Sequence, residues 1–253
     1  MIAKDWLSQV RGVLDRIEET QTGSMRAAAE VMANSIAAER WVHTFGCGHA
    51  TIPVEEMYPR IGGFVGFHPM IELPLTYFTH ITGEMGIHQF LFLERAEGFG
   101  RELMKSYRFD RQDCMWIFSH SGINNVNIDV ALRAKELGLK VIATGSAAGF
   151  AQTASRHSSG KKLFEIADVV IDTCAPATDA SVPLLNHFDR VGPVSTMAFV
   201  AVVWMTITTV AELLVERGVK LHIHPSHNIP GDTTAHERLD RALAEYQRRV
   251  AGV

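Results

Sequence analysis

The chain has 253 residues, 47% hydrophobic and 21% charged, with a formal net charge of −4. This is ample apolar material for a buried core, and it excludes disorder, collagen and coiled coil. No basic stripe is present, which argues against a nucleic-acid partner, because neutralising phosphates needs clustered Lys and Arg. Cys47, Cys114 and Cys174 are odd in number and far apart, so neither a disulfide framework nor a CxxC metal pair is expected, and a cytoplasmic setting is.

The first residues carry Asp5, Asp15, Glu18 and Glu19 and no apolar h-region, so no signal peptide is read there. Residues 3–38 read as helix, with Trp6, Leu7, Val10, Val13, Leu14 and Ile17 at helical spacing. Gly23 and Ser24 interrupt that pattern and predict a kink or two helices. A buried strand is expected at 41–46 (WVHTFG), a helix at about 51–60, a second strand at 64–69, a long loop over 70–86 and helix again over 88–107. Three clearer units follow: strand 114–119 with helix 126–137, strand 140–144 with helix 147–155, and strand 167–173. Strands alternating with helices imply βαβ units and a parallel sheet between helical layers. A loop over 174–192, an apolar helix 193–217, an irregular stretch 219–232 and an amphipathic helix 233–249 complete the chain. The run Val191–Ala211 holds no charge over 21 positions, nominally enough for a bilayer. It contains Gly192, Pro193, Ser195 and four threonines and lacks flanking basic clusters, so it reads as a helix buried in the core or at a subunit interface, with no membrane partner. One domain is expected over 1–253, a helical segment 1–38 followed by a core over 39–253.

In an open parallel sheet ligands bind outside the carboxyl ends of the strands. Two strand ends here are small and polar. In FGCGHAT (45–51), Gly46 and Gly48 let the backbone approach a ligand, His49 can donate to an anion, and Cys47 reads as a small filler or a thiol near a helix N-terminus. In FSHSGINN (118–125), Ser119, His120, Ser121, Gly122, Asn124 and Asn125 offer hydroxyls and amides where a helix begins, an anion cradle without Lys. The bland reading of the asparagines is an N-cap. ATGS (143–146) repeats the pattern with Ser146, and Ser195 reads either as the N-cap of the apolar helix or as pocket lining. His222, His224 and His227 are weak zinc candidates, since alternate strand residues share a face.

The stretches GCGHATIPVEEMYPRIGGF, LERAEGFGRELM, SHSGINNVNIDVALRAKELGLKVIATGS, RHSSGKKLFEIADVVIDT, RVGPVSTM and PSHNIPGD, in that order, resemble the sugar isomerase (SIS) domain family. The closer resemblance is to the stand-alone UPF0309 proteins, related to phosphoheptose isomerases. It implies a three-layer αβα sandwich around a five-stranded parallel sheet, flavodoxin-like, with an added N-terminal helix, assembled as a homodimer or homotetramer. Ser119 and Ser121 would cradle a sugar phosphate. Ala50, beside Thr51, departs from the family's usual serine, and Asn124 stands where Ser or Thr is usual.

The resemblance further implies Glu56 as catalytic base, with Glu55 second, and His236 as the acid partner. Ser226, Asn228, Gly231 and Asp232 would belong to the sugar pocket, as part of a neighbouring subunit's site in one arrangement. The activity implied is aldose–ketose isomerisation through an enediol without an organic cofactor. A binding or regulatory protein without chemistry, and a sugar lyase or etherase, are the alternatives.

Overall fold

Runs with almost no exposed side chain form the middle of the molecule. The structure, a computed structural model, describes residues 1–57, 59–76 and 86–252. Five strands, β1 (Val42–Gly46), β2 (Phe67–Met70), β3 (Cys114–Phe118), β4 (Lys140–Gly145) and β5 (Val169–Asp172), pair in parallel in the order β2-β1-β3-β4-β5. Every residue of β1 and β3 is buried, as expected of parallel strands covered on both faces.

The alternation along β3 divides the core in two. Cys114, Trp116 and Phe118 face one apolar layer with Val10, Ile17, Met32 and Phe199; Met115 and Ile117 face the other with Phe45, Val130 and Val141. The first layer is closed by α1 (Ile2–Ala37) and α8 (Ser195–Glu216). The second is closed by α5 (Asn125–Glu136) with the short helices α3 (Ile87–Leu93), α4 (Phe99–Met104) and α7 (Leu163–Ile166). The one-turn helix α2 (Ile52–Glu55), α6 (Ala147–Gln152) and α9 (Ala235–Ala251) complete the helices among the described residues.

Several expectations need correction. Gly23 does not interrupt α1: a Cβ there would meet nothing within 4 Å, so the glycine sits on an outer face and costs only propensity. The helix expected at 51–60 ends at Glu55, after a 3₁₀ turn over Gly48–Thr51. The second strand begins at Phe67; Phe64 instead makes an isolated antiparallel bridge to Ile223. The helix expected over 88–107 is two helices, parted where Gly98 takes a φ of 92°. The loop expected over 174–192 contains an antiparallel hairpin, β6 (Ala180–Pro183) and β7 (Arg190–Pro193). Of the loop expected over 70–86, residues 77–85 lie outside the described residues.

The uncharged run became α8. By length and composition it is apolar enough to cross a membrane, yet it lies along α1 with Ala198, Phe199, Val202, Val203, Ile207 and Val210 buried. An ion pair between Arg217 and Glu30 and a hydrogen bond from Trp6 Nε1 to Pro193 O (3.1 Å) tie the two helices together.

Candidate functional site at the carboxyl ends of β1 and β3

The chain leaves β1 for β2 on one side and returns to β3 on the other, so the connections diverge between β1 and β3. This is the switch point at which an open α/β sheet leaves a crevice. The two loops singled out from the sequence meet there.

The first loop is held shut by its glycines. A Cβ on Gly46 would lie 2.0 Å from Ala50 O, and Gly48 has a φ of 61°. Thr51 Oγ1 donates to Gly48 O at 2.7 Å and is buried, so that hydroxyl closes the turn. The Cys47 thiol is buried against Asn127 Oδ1 (3.5 Å), and burial, with Glu94 nearby, pushes its pKa well above the ordinary value. It is a packed filler rather than a nucleophile.

In the second loop Ser119 Oγ accepts from Gly122 N at 3.1 Å, and Ser119 is buried. Gly122 has a φ of 64°, and a Cβ there would sit 1.8 Å from the Phe150 ring. Ser121 is half-buried beside it. Asn124 does not cap α5 with its side chain; Asn124 Nδ2 donates to Glu94 Oε2 at 2.6 Å. Asn125 Nδ2 donates to Arg95 O at 2.8 Å, leaving its buried Oδ1 without a partner among the described residues. Ser146 is fully engaged: its hydroxyl donates to Ala175 O (2.6 Å) and accepts from Gly149 N (3.0 Å) as the N-cap of α6, so its side chain is taken up by structure.

Two acids that sequence reasoning missed organise this end of the sheet. Asp179, at a φ of 59° in the turn before β6, accepts from the backbone N–H of Val194 (3.0 Å) and Ser195 (2.8 Å). Ser195 Oγ donates to Asp179 Oδ2 at 2.7 Å and lies 3.1 Å from His49 Nε2. With the hydroxyl proton on Asp179, Nε2–H of His49 is the donor to Ser195. Burial lowers the His49 pKa; Asp179 opposes this and His120 adds to it. The imidazole is neutral near pH 7. His120 stands 6.3 Å away between ring centroids, with Nε2 3.3 Å from Ala177 O. A carbonyl only accepts, so in the neutral ring Nε2 carries the proton and Nδ1 is a bare acceptor, buried and without a partner among the described residues. The second missed acid, Glu94, is buried, and burial raises its carboxyl to about 6 despite Arg95 and Arg156. Neither acid belongs to a periodic pattern. The only available signal was that Glu94 lies in the stretch LERAEG and Asp179 in a polar loop.

The other predicted residues lie elsewhere. Glu56 caps the end of α2 and turns to α8: its Oε1 accepts from Trp204 Nε1 (3.2 Å) and pairs with Arg60 (2.5 Å), while Glu55 is exposed. Residues 222–224 run beside 62–65, ahead of β2, through hydrogen bonds such as Val65 N to His222 O and His224 N to Gly63 O. That is the amino side of the sheet. His224 Nδ1 is spent on Pro59 O, and no group of three His, Cys, Asp or Glu suited to a metal occurs among the described residues. His236 is exposed against His227 (4.9 Å between centroids), and Asn228 is exposed with its N–H on Ser226 Oγ. The side-chain bonds of Glu56 and the Asn228–Ser226 hydrogen bond are thus made away from the second loop.

Comparison with known proteins agrees with this architecture. The family model described as SIS domain matches residues 5–146. A UPF0309 protein of Thermoanaerobacter pseudethanolicus is 31% identical over 97% of this chain and 98% of its own. Another from Oceanobacillus iheyensis is 33% identical over 90% of this chain and 91% of its own. The chain belongs to the SIS-domain family and, within it, to the UPF0309 proteins. A solved phosphoheptose isomerase from Francisella tularensis shares the fold, with a TM-score of 0.53 at 12% identity, covering 83% of this chain and 96% of that one.

Proposed function

We propose that the chain binds a sugar phosphate, or a closely related carbohydrate derivative, at the carboxyl ends of β1 and β3, and interconverts its aldose and ketose forms through an enediol. The observation that carries this reading is His120 Nδ1, a buried acceptor without a partner among the described residues, on a ring whose centroid lies 6.3 Å from that of the neutral His49. Isomerisation needs a base to move a proton between C1 and C2 and a donor at the carbonyl oxygen. In this reading His120 accepts the carbon-bound proton. His49, whose one N–H is held by Ser195 and Asp179, accepts a sugar hydroxyl at Nδ1, the second N–H of Asn124 Nδ2 donates to the carbonyl oxygen, and Glu94 holds a further hydroxyl. Ser121 and the N–H groups at the start of α5 receive the phosphate. The phosphoheptose isomerase that shares the fold supports a phosphosugar as the substrate class.

A second reading, a binding protein without chemistry, is favoured by one observation. Glu56, the base that the family resemblance implies, is tied to Trp204 and Arg60 instead of the loops. For Glu56, with Glu55 and His236, to act as the family pattern suggests, Glu56 must leave those partners and His236 must reach a neighbouring subunit's crevice. This fits a cytoplasmic homodimer or homotetramer in contact through the outer face of α8, where Met197 and Val215 are exposed. Light scattering that finds a monomer would remove that route.

The test is a thermal-shift screen against sugar phosphates, sugar acids and free sugars, then proton NMR of each binder in heavy water. An enediol intermediate exchanges the C1 or C2 proton for deuterium. His120→Asn should abolish exchange while ligand binding persists. Binding without exchange in the wild type selects the second reading, and no stabilisation by any sugar phosphate overturns the substrate class.

A further inference from the structure

At the other end of β1 lies a half-open cavity of about 810 Å³ between the entries to β1 and β2, the segment leading to β3 and the end of α9. From Val42 to Gly46 the strand spans about 13 Å at 3.3 Å per residue, so this space is separate from the crevice above. Its wall is aromatic. Trp41 lies 5.4 Å from His68 and Tyr107 5.8 Å from His68, while Phe109 lies 4.7 Å from His43, all between centroids.

Behind the rings runs a hydrogen-bonded series. Asp113, which also accepts from Trp41 N at 2.8 Å, lies 3.2 Å from His43 Nε2, and His43 Nδ1 lies 3.0 Å from His68 Nδ1. With the His43 proton directed to Asp113, His43 Nδ1 accepts from His68, which leaves His68 Nε2 as a bare acceptor. Burial and the neighbouring His43 hold the His68 pKa down to about 4, in keeping with a neutral ring.

The charges of the wall balance in number, Glu39, Asp110 and Asp113 against Arg40, Arg108 and Arg249, but they are not all spent on one another. Asp110 pairs with Arg40, and Glu39 with Arg248. Arg249 is different. Its side chain is only 6% exposed, its Nε donates to Glu245 Oε1 at 2.7 Å, and its guanidinium lies 6.0 Å from the centroid of the Trp41 ring. Its Nη1 is buried with no partner among the described residues. A buried guanidinium N–H without an acceptor is costly, and an anion entering the cavity relieves that cost. Arg108 adds a second, exposed cation at the rim.

We propose that this cavity is a second ligand site, for a small molecule that joins a flat ring to an anionic group. The ring lies against Trp41, Tyr107 and Phe109, and the anion bonds to Arg249 Nη1. Two sources share that chemistry, an aromatic carboxylate and a nucleoside monophosphate.

Calorimetric titration of the full chain with indole-3-acetate and with AMP tests it, with indole as the comparator lacking an anion. At least one charged probe should bind, and indole at least tenfold more weakly. Arg249→Met should weaken that probe about tenfold or more, the loss of a charge-assisted hydrogen bond. Arg249→Lys, which keeps the charge near Glu245, is read if the first variant does not fold. Ser121→Ala should leave probe affinity unchanged. Binding of AMP alone assigns a nucleotide, and binding of indole-3-acetate alone assigns an aromatic acid. Failure of both probes, wild-type affinity in the folded Arg249 variant, or loss of binding in Ser121→Ala overturns the proposal.

Discussion

Both ends of β1 hold a histidine joined to a carboxylate, and the two pairs are built differently. At the amino end His43 meets Asp113 directly at 3.2 Å, and both side chains are almost fully buried. At the carboxyl end His49 reaches Asp179 only through the Ser195 hydroxyl, and the ring is part-exposed. A direct buried pair is rigid and costly to break; a hydroxyl-mediated pair can reorient its proton as a ligand arrives. The titrating neighbours differ as well. At the carboxyl end Glu94 is raised to about 6, while at the amino end His68 is lowered to about 4.

The strongest way to break this comparison is Asp113→Ala. It strips the acceptor from His43 and from the N–H groups of Trp41 and Asp110, and should cost about 3–5 kcal/mol in urea unfolding. A loss below about 1 kcal/mol would mean that the amino-end pair is no more rigid than the other. Gly122→Ala should cost about 3 kcal/mol, from the overlap with Phe150 and the left-handed backbone, and should also abolish sugar-phosphate stabilisation.

pH sharpens the contrast. A histidine whose folded pKa lies below its unfolded one binds more protons when unfolded, so stability falls as pH drops from 6.5 to 4. His68 contributes up to about 3 kcal/mol of that fall, and His68→Gln should flatten the limb in pH-dependent melting curves. Glu94 acts with the opposite sign. Its raised folded pKa makes the protonated form the stabilising one, and that stability is lost as pH rises from 4.5 through 6. Glu94→Gln should therefore raise stability at pH 7 by up to about 2 kcal/mol while weakening the sugar ligand. Greater stability with unchanged ligand affinity would remove Glu94 from the site.

What could be read from residue order follows the physics of each element. β1, β3, β4 and β5 are short, mostly apolar runs that end at, or one residue before, a glycine or a polar residue, and β1 and β3, buried on both faces, need no more than that. The hairpin β6–β7 escaped because ASVP and RVGP are short, half-exposed and lack alternation. At the site, the two loops were legible because glycines and hydroxyls cluster there. Asp179 and Glu94 were not, because single acids on irregular backbone acquire meaning only when distant segments close around them. The place of the late histidines was not legible for a related reason: spacing along the chain suggests that imidazoles share a face, but only the closed fold shows that residues 222–224 run beside residues 62–65, ahead of β2.

The long first helix has a consequence for synthesis. Trp6 finds its acceptor on Pro193, 187 residues later, and Glu30 pairs with Arg217 at the same separation. At roughly 5–20 residues per second, α1 leaves the ribosome about 10–40 s before the segment that covers it. Throughout that interval Val10, Ile17, Met32 and Ile36 form an open greasy stripe on a nascent chain, the surface that a chaperone would shield first.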